Sequence, residues 1–260
     1  GDKTSTGVKK LFSSYSSGVQ TNRDAWCYNA AKGNLSDNMA RMIGFFNAEA
    51  TRFTKAFAGL DKKAREAELE GYINTDPAQI SWTRALKQEI VKDRPFAFDE
   101  SCLTPSYYRP FSMQCIYFNR RLNEYVNLMP RFFPKSAKDN RVICVTGIGG
   151  NKDFSCLIPN ALPDVQTFSN GQCFPLYLYD EPESETQDQA VLFTTATPTK
   201  GERKRRDAIT DEGLAHFLAA YPGETICKED VFYYVYGLLH SPDYRERYAD
   251  NLSKELPRIP

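Results

Sequence analysis

Apolar positions along the chain change period twice. Between Leu35 and Asp93, residues Met39, Ile43, Phe46, Ala50, Phe53 and Phe57 step by four and three, which places them on one face of a helix. Ser36 stands where it can cap the start of that helix. Asp76-Pro77 interrupts the pattern before a shorter helix around Trp82, Leu86 and Ile90. From Tyr107 to about Thr195 the pattern shortens to β-rich runs at Cys115–Phe118, Val142–Thr146, Phe174–Tyr179 and Ala190–Thr195. Gly147, Gly149, Gly150, Pro159, Pro163 and Gly171 punctuate them. The helical period returns after Ile209 with Leu214, Phe217 and Leu218, ahead of Tyr221-Pro222-Gly223.

The last stretch carries the strongest pattern. Val231, Phe232, Val235, Leu238 and Leu239 form an apolar stripe, and Pro242 ends that helix near His240. Ser241 as N-cap and Pro242 at the first helical position start a second helix, lined by Tyr244, Tyr248 and Leu252. The pattern then stops at Leu256-Pro-Arg-Ile-Pro260, which reads as the cut end of a longer polypeptide. The resulting expectation is an α+β fold: a central mixed or antiparallel sheet of short strands, flanked by N-terminal and C-terminal helical regions.

Composition narrows the class. At 260 residues, 41% hydrophobic and 13% aromatic, the chain has ample material for a core. It lacks an apolar run of about 20 residues or the layout of a signal peptide, which predicts a soluble, cytoplasmic protein with no membrane partner. Seven cysteines without a Cys-x-x-Cys pair, and only His216 and His240 beside them, give no zinc spacing, so the thiols read as reduced core residues and no metal is expected.

Catalytic patterns are equally sparse. There is no Gly-x-Ser-x-Gly, His-Glu-x-x-His or Asn-Pro-Pro-Tyr, and two isolated histidines make no relay. His240 is placed to cap a helix C-terminus, where a charged imidazole suits the dipole. Val142-Ile-Cys-Val-Thr-Gly-Ile-Gly-Gly-Asn-Lys152 has the look of a phosphate loop, but the Gly-Lys-Ser/Thr and the following helix are missing. Such a turn suits close approach of backbone to another surface, DNA included. Zero net charge conceals local polarity: Asp180–Asp188 is acidic, whereas Lys200-Gly-Glu-Arg-Lys-Arg-Arg206 is a basic loop that can meet phosphate or remain a solvated loop.

An ordered set of segments carries a family resemblance: Ser17-Gly-Val-Gln-Thr-Asn-Arg-Asp-Ala-Trp-Cys-Tyr-Asn29, Ile80-Ser-Trp-Thr-Arg84, Tyr108-Arg-Pro-Phe111, Ile116-Tyr-Phe-Asn119, Gly171-Gln-Cys-Phe-Pro175 and the Lys228–Pro260 hairpin. Together they resemble the C-terminal specificity region of type ISP restriction-modification enzymes and related large DNA methylase-helicase polypeptides. One departure is Cys227, where that family more often has Ser as N-cap; Glu229 and Asp230 must then serve the exposed amides.

The resemblance implies a DNA target recognition domain, non-catalytic itself, that positions duplex DNA for adenine-N6 methylation and cleavage by upstream domains. It implies no cofactor here, and S-adenosylmethionine, ATP and Mg for the parent enzyme with its methyltransferase, nuclease and helicase-like ATPase. The implied division is 1–34 as tail of, or linker from, an upstream methyltransferase, 35–100 as a helical subdomain, 101–206 as a β-rich DNA-reading core, and 207–260 as a helical hairpin packed on it. Candidate DNA-binding residues are Asn119, Arg120 and Arg121 after a strand, Asn151 and Lys152 in the glycine turn, and Lys200, Arg203, Lys204, Arg205 and Arg206 in the basic loop. A solvated turn residue is the alternative for each. The rival readings are a protein-interaction scaffold using the tyrosine-rich hairpin, and an independent methyltransferase.

Overall fold

The computed structural model describes residues 10–134, 139–149, 152–180 and 203–260. The chain divides into two compact units: the first takes Gly18–Asn127 and Leu162–Thr167, the second the remaining stretches up to Ser17, from Leu128 to Ala161 and from Phe168 onward. The expected α+β class holds. In place of one central sheet, the described residues form two four-stranded sheets and a two-stranded ribbon. Residues 101–206 contribute to both units, and residues before 34 supply strands to both sheets.

After strand β1 (Ser16–Ser17), which belongs to the second unit, the chain builds the first unit from α1 (Asp24–Cys27), β2 (Tyr28–Asn29), α2 (Lys32–Ala56), α3 (Lys62–Tyr72), α4 (Arg84–Val91), β3 (Leu103–Arg109) and β4 (Ser112–Tyr117). Helix α2 buries Met39, Ile43, Phe46, Ala50 and Phe53 of the predicted stripe together with Leu35 and Met42, while Phe57 is its half-buried C-cap. It begins earlier than expected, however. Ala31 is the N-cap, its amide bonded to Asn29 Oδ1 at 2.9 Å, so Ser36 lies within the helix. The shorter helix α4 is capped by Thr83, whose side chain accepts from the Leu86 amide at 3.3 Å. Strands order as β2-β4-β3-β7, where β7 (Leu162–Pro163) runs parallel to β3 and arrives from far along the sequence.

The second unit contains α5 (Met129–Phe132), β5 (Val142–Val145), β6 (Cys156–Leu157), β8 (Gln172–Pro175), β9 (Tyr177–Asp180), β10 (Lys204–Asp207), α6 (Asp211–Ala220), α7 (Lys228–His240), α8 (Pro242–Arg247) and α9 (Ala249–Leu252). Its sheet orders β1-β8-β5-β6, and β9 pairs with β10 as the separate ribbon. The expected strand Phe174–Tyr179 is therefore two strands. Leu176 is the switch: its amide bonds Arg141 O at 2.8 Å while its carbonyl accepts from the Ala208 amide at 3.0 Å, so the backbone changes partner there. The expected strand Ala190–Thr195 lies outside the described residues.

Helix α7 buries Val231, Phe232, Val235 and Leu239 in one cluster with Ile143, Val145, Ile209 and Phe217. Each large apolar side chain removed from water contributes on the order of 2 kcal/mol, which makes this stripe the main anchor of the helix. Asp230 accepts from the Cys227 amide at 2.9 Å, the acidic compensation expected for a thiol at the N-cap. Ser241 and Pro242 open α8 as expected. At this helix end Arg245 Nε donates to Leu239 O at 2.6 Å, while burial and the Arg245 charge lower the pKa of the His240 imidazole and so disfavour the charged form expected there.

Gly147 is required by the chain's own packing. Its amide bonds Ser169 O at 3.0 Å, and a Cβ there would lie 1.7 Å from Asn170 O, an impossible overlap with backbone. The close approach foreseen for this glycine turn is thus to residues 169–170. Gly149, by contrast, has open space around it and only a φ of +74° to constrain it. Gly147→Ala is expected to cost at least about 3 kcal/mol in chemical denaturation, and Gly149→Ala about 1 kcal/mol; equal losses would contradict this packing.

Candidate nucleic-acid interface

Within the second unit, the basic run predicted as a loop is strand β10, fixed to β9 in the register Lys204↔Asp180, Arg205↔Tyr179, Arg206↔Leu178 and Asp207↔Tyr177. It forms because β9 is apolar and aromatic. Leu178 and Tyr179 are buried, and the Arg205 guanidinium lies 4.5 Å from the Tyr177 ring centre, so the arginine stem covers a face that would otherwise meet water. The pairing also sorts the charges. Arg206 Nε donates to Asp180 Oδ2 at 2.6 Å and Arg131 bonds the other oxygen, which holds the Asp180 carboxyl below its usual range. Arg203 donates to Pro130 O at 3.0 Å. Lys204 and Arg205 remain exposed along β10.

The ribbon therefore divides its cations into two groups. Arg131, Arg203 and Arg206 hydrogen-bond within the fold and Arg205, though exposed, lies against the Tyr177 ring, whereas Lys204 is exposed without such a contact among the described residues. Lys152 is exposed after the glycine turn. Asn151 and Lys200 lie outside the described residues.

In the first unit, Asn119–Arg121 follows β4 as predicted, but its members differ in availability. Asn119 Oδ1 accepts from the amides of Arg121 (2.9 Å) and Leu122 (3.3 Å), so it builds the turn. Arg121 binds Glu89 through Nε at 2.6 Å, donates to Pro95 O at 3.2 Å and Arg94 O at 2.8 Å, and lies 4.2 Å from the Phe96 ring centre. These contacts occupy its fork and leave little for a base edge. Arg120 is exposed and has no partner among the described residues.

Sequence reasoning missed a second polar cluster in this unit. Asp164, buried after β7, accepts from Tyr28 Oη at 3.0 Å, Arg109 Nη1 at 3.0 Å and the Gln166 amide at 2.8 Å. Arg109 also reaches Asp24 Oδ2 at 3.4 Å, and Thr21 bonds the other Asp24 oxygen. The Arg109 guanidinium stacks 3.9 Å from the Tyr108 ring centre, and Tyr108 packs on Tyr28 at 4.7 Å. Nothing in a lone Pro163-Asp164 predicts such a hub; the Tyr108–Phe111 segment was the legible signal.

The resemblance-bearing segments prove to be one another's partners. Arg23 donates to Leu122 O at 2.6 Å and to Thr83 Oγ1 at 2.6 Å, joining the first segment to Ile80–Arg84 and to the turn after Ile116–Asn119. In the second unit, Ser17 pairs with Gln172, whose Nε2 donates to Ser17 Oγ at 3.0 Å. Their joint occurrence in the sequence is thus a packing requirement.

Burial, followed by the nearby Asp24 charge, raises the Asp164 pKa from 3.8 to about 6. The folded state therefore binds this proton more tightly than the unfolded one. Its contribution to stability is complete below about pH 4 and is lost as pH rises through about 6. Denaturation midpoints measured from pH 4 to 7 should show wild type losing on the order of 2 kcal/mol relative to Asp164→Asn. Parallel pH profiles for the two proteins would contradict it.

Among the described residues no group of His, Cys, Asp and Glu could hold a metal ion, and no helix is long and apolar enough to cross a membrane. No curated protein matches the chain. Solved structures do. The DrdV–DNA complex determined by cryo-EM is 33% identical with a TM-score of 0.79, over 100% of this chain and 23% of that one. A nuclease-deletion mutant of the Type ISP restriction-modification enzyme LlaGI, in complex with a DNA substrate mimic, is 33% identical with a TM-score of 0.75, over 98% and 20%. The ATP-dependent Type ISP enzyme LlaBIII bound to DNA is 28% identical with a TM-score of 0.74, over 98% and 15%. The chain thus spans less than a quarter of each of these polypeptides. The Type ISP C-terminal specificity domain matches residues 10–260, and the chain belongs to that family.

Proposed function

We propose that this chain is the DNA target recognition domain of a multidomain restriction-modification enzyme. It holds duplex DNA in register so that adjoining parts of a longer polypeptide can flip and methylate an adenine at N6 and cleave DNA. Those parts, and the S-adenosylmethionine, ATP and Mg they use, are assigned to the parent; no residue here is given a catalytic role. The setting is the cytoplasm, with no membrane partner. The observation that carries the reading is the β9–β10 ribbon, where Arg206 is tied to Asp180 while Lys204 and Arg205 stay exposed on a defined strand, Arg205 with its guanidinium beside the Tyr177 ring. A rigid strand edge with outward cations suits the phosphate backbone, because phosphate contacts fix register.

Roles within the interface follow from availability. Lys204, Arg205 and Lys152 are phosphate contacts, and Arg120, exposed on a turn braced by Asn119 and Arg121, is a base reader. Asn119, Arg121, Arg203 and Arg206 position their neighbours. Asn151 and Lys200 remain in the proposed set on their sequence positions alone.

A second reading rests on Tyr233 and Tyr234, which stay 38% and 40% exposed on α7 and could dock a protein. Binding assays discriminate. Lys204→Gln/Arg205→Gln should weaken binding of duplex oligonucleotides irrespective of sequence and reduce the slope of log K against log salt by about 2. An unchanged slope would remove the ribbon from the interface. Arg120→Ala should relax preference at one base pair by about 1–3 kcal/mol in competition binding against a sequence library. Uniform loss over all sequences would make it a phosphate contact.

A further inference from the structure

The hairpin joining β3 and β4 ends in a two-residue turn, Pro110-Phe111, between the paired residues Arg109 and Ser112. Phe111 has φ +59° and is 88% exposed. Proline is fixed near φ −65°, so the primed turns usual for tight hairpins are closed to this sequence. Proline followed by a positive-φ residue is the type II arrangement, in which glycine is the residue that fits. A phenylalanine there is strained by its backbone and leaves a full aromatic ring in water, two costs that glycine would remove.

The stem beneath this strained tip is braced. The pairing slips by one residue at Tyr108, a bulge that restores twist a non-primed turn lacks. The slip lets Tyr108 stack between Arg109 and Tyr28, while Arg109 is clamped by Asp24 and Asp164. Met113, 47% exposed, is the next apolar side chain along β4. The tip is a single rigid ring on a fixed stem, a point and not a patch. A ring of that kind fits a slot one aromatic layer deep, and the partner proposed above contains such slots at every base-pair step.

We propose that Phe111 is an apolar wedge that inserts between base pairs of the duplex and unstacks one step. This rests on the DNA-reading function proposed for the chain. The clamp of Arg109 by two carboxylates then has a purpose: it braces the stem beneath a strained, solvent-exposed ring, so ordering of the stem is complete before DNA arrives.

The test uses the full chain and a 30-base-pair duplex with 2-aminopurine in place of the adenines of one strand, whose fluorescence rises on unstacking. Wild type should bind with a fluorescence rise. Phe111→Gly should fold with a denaturation midpoint at or above that of wild type, keep the salt dependence of binding, bind about tenfold more weakly, and lose the rise. Phe111→Trp should restore the rise and show quenching of the new indole. A Phe111→Gly protein that binds with wild-type affinity and the full fluorescence rise overturns the wedge while leaving DNA recognition intact, and assigns the exposed ring to a protein contact. Absence of duplex binding by wild type overturns both readings together.

Discussion

Six residues arriving late in the chain hold the first unit together. Leu162–Thr167 re-enter it as β7 and its following turn, wedged between the segment at Val19 and the end of β3. Pro163 O accepts from the Val19 amide, Val19 O accepts from the Val165 amide, and Tyr107 O accepts from both the Asp164 amide and the Thr167 hydroxyl. Gly18 permits this approach, since a Cβ there would lie 2.6 Å from Pro163 O. At the centre stands Asp164, a carboxylate that water cannot reach and that must find all its partners inside. Tyr28, Arg109 and the Gln166 amide meet that need, and in doing so they fix strand β2, the hairpin stem and the returning strand against one another. Removing one partner leaves a buried charge uncompensated, so these residues stand or fall as a group.

Much of the helical architecture was legible from period alone. The α2 stripe, the α7 stripe and the Ser241-Pro242 restart are written in local spacing, because burial of one helical face needs no distant information. The β regions were legible only as apolar runs. Whether Phe174–Tyr179 is one strand or two depends on Leu176 bonding two different partners, and a residue's partners across more than 30 positions leave no mark in its own neighbourhood. The charge of the basic run at Lys204–Arg206 suggests a solvated loop; the aromatic face of β9 makes it a strand. Ser36 fits a capping rule, but Asn29 and Ala31 start the helix first.

The candidate site shows the same division between composition and context. Sequence identifies arginines and asparagines near turns, yet it cannot say which are already engaged. Arg121 and Asn119 are consumed by their own turn and by Glu89, while Arg120 between them is free of such ties among the described residues. Arg206 and Lys204 are two residues apart on one strand, one bound to Asp180 and the other outward. A basic count therefore overstates the surface available to a polyanion. In the second unit what remains is Lys152, Lys204 and Arg205, the last two fixed on a hydrogen-bonded strand, which favours register over sheer attraction; in the first unit it is Arg120.

Hydrogen exchange read by mass spectrometry, with and without a duplex oligonucleotide at low salt, tests the central claim most directly. The account predicts slowed exchange in Lys204–Asp207 and in Arg109–Met113 when duplex is present, with α7 unchanged. No duplex-dependent protection, or protection confined to the tyrosine-rich face of α7, would contradict it.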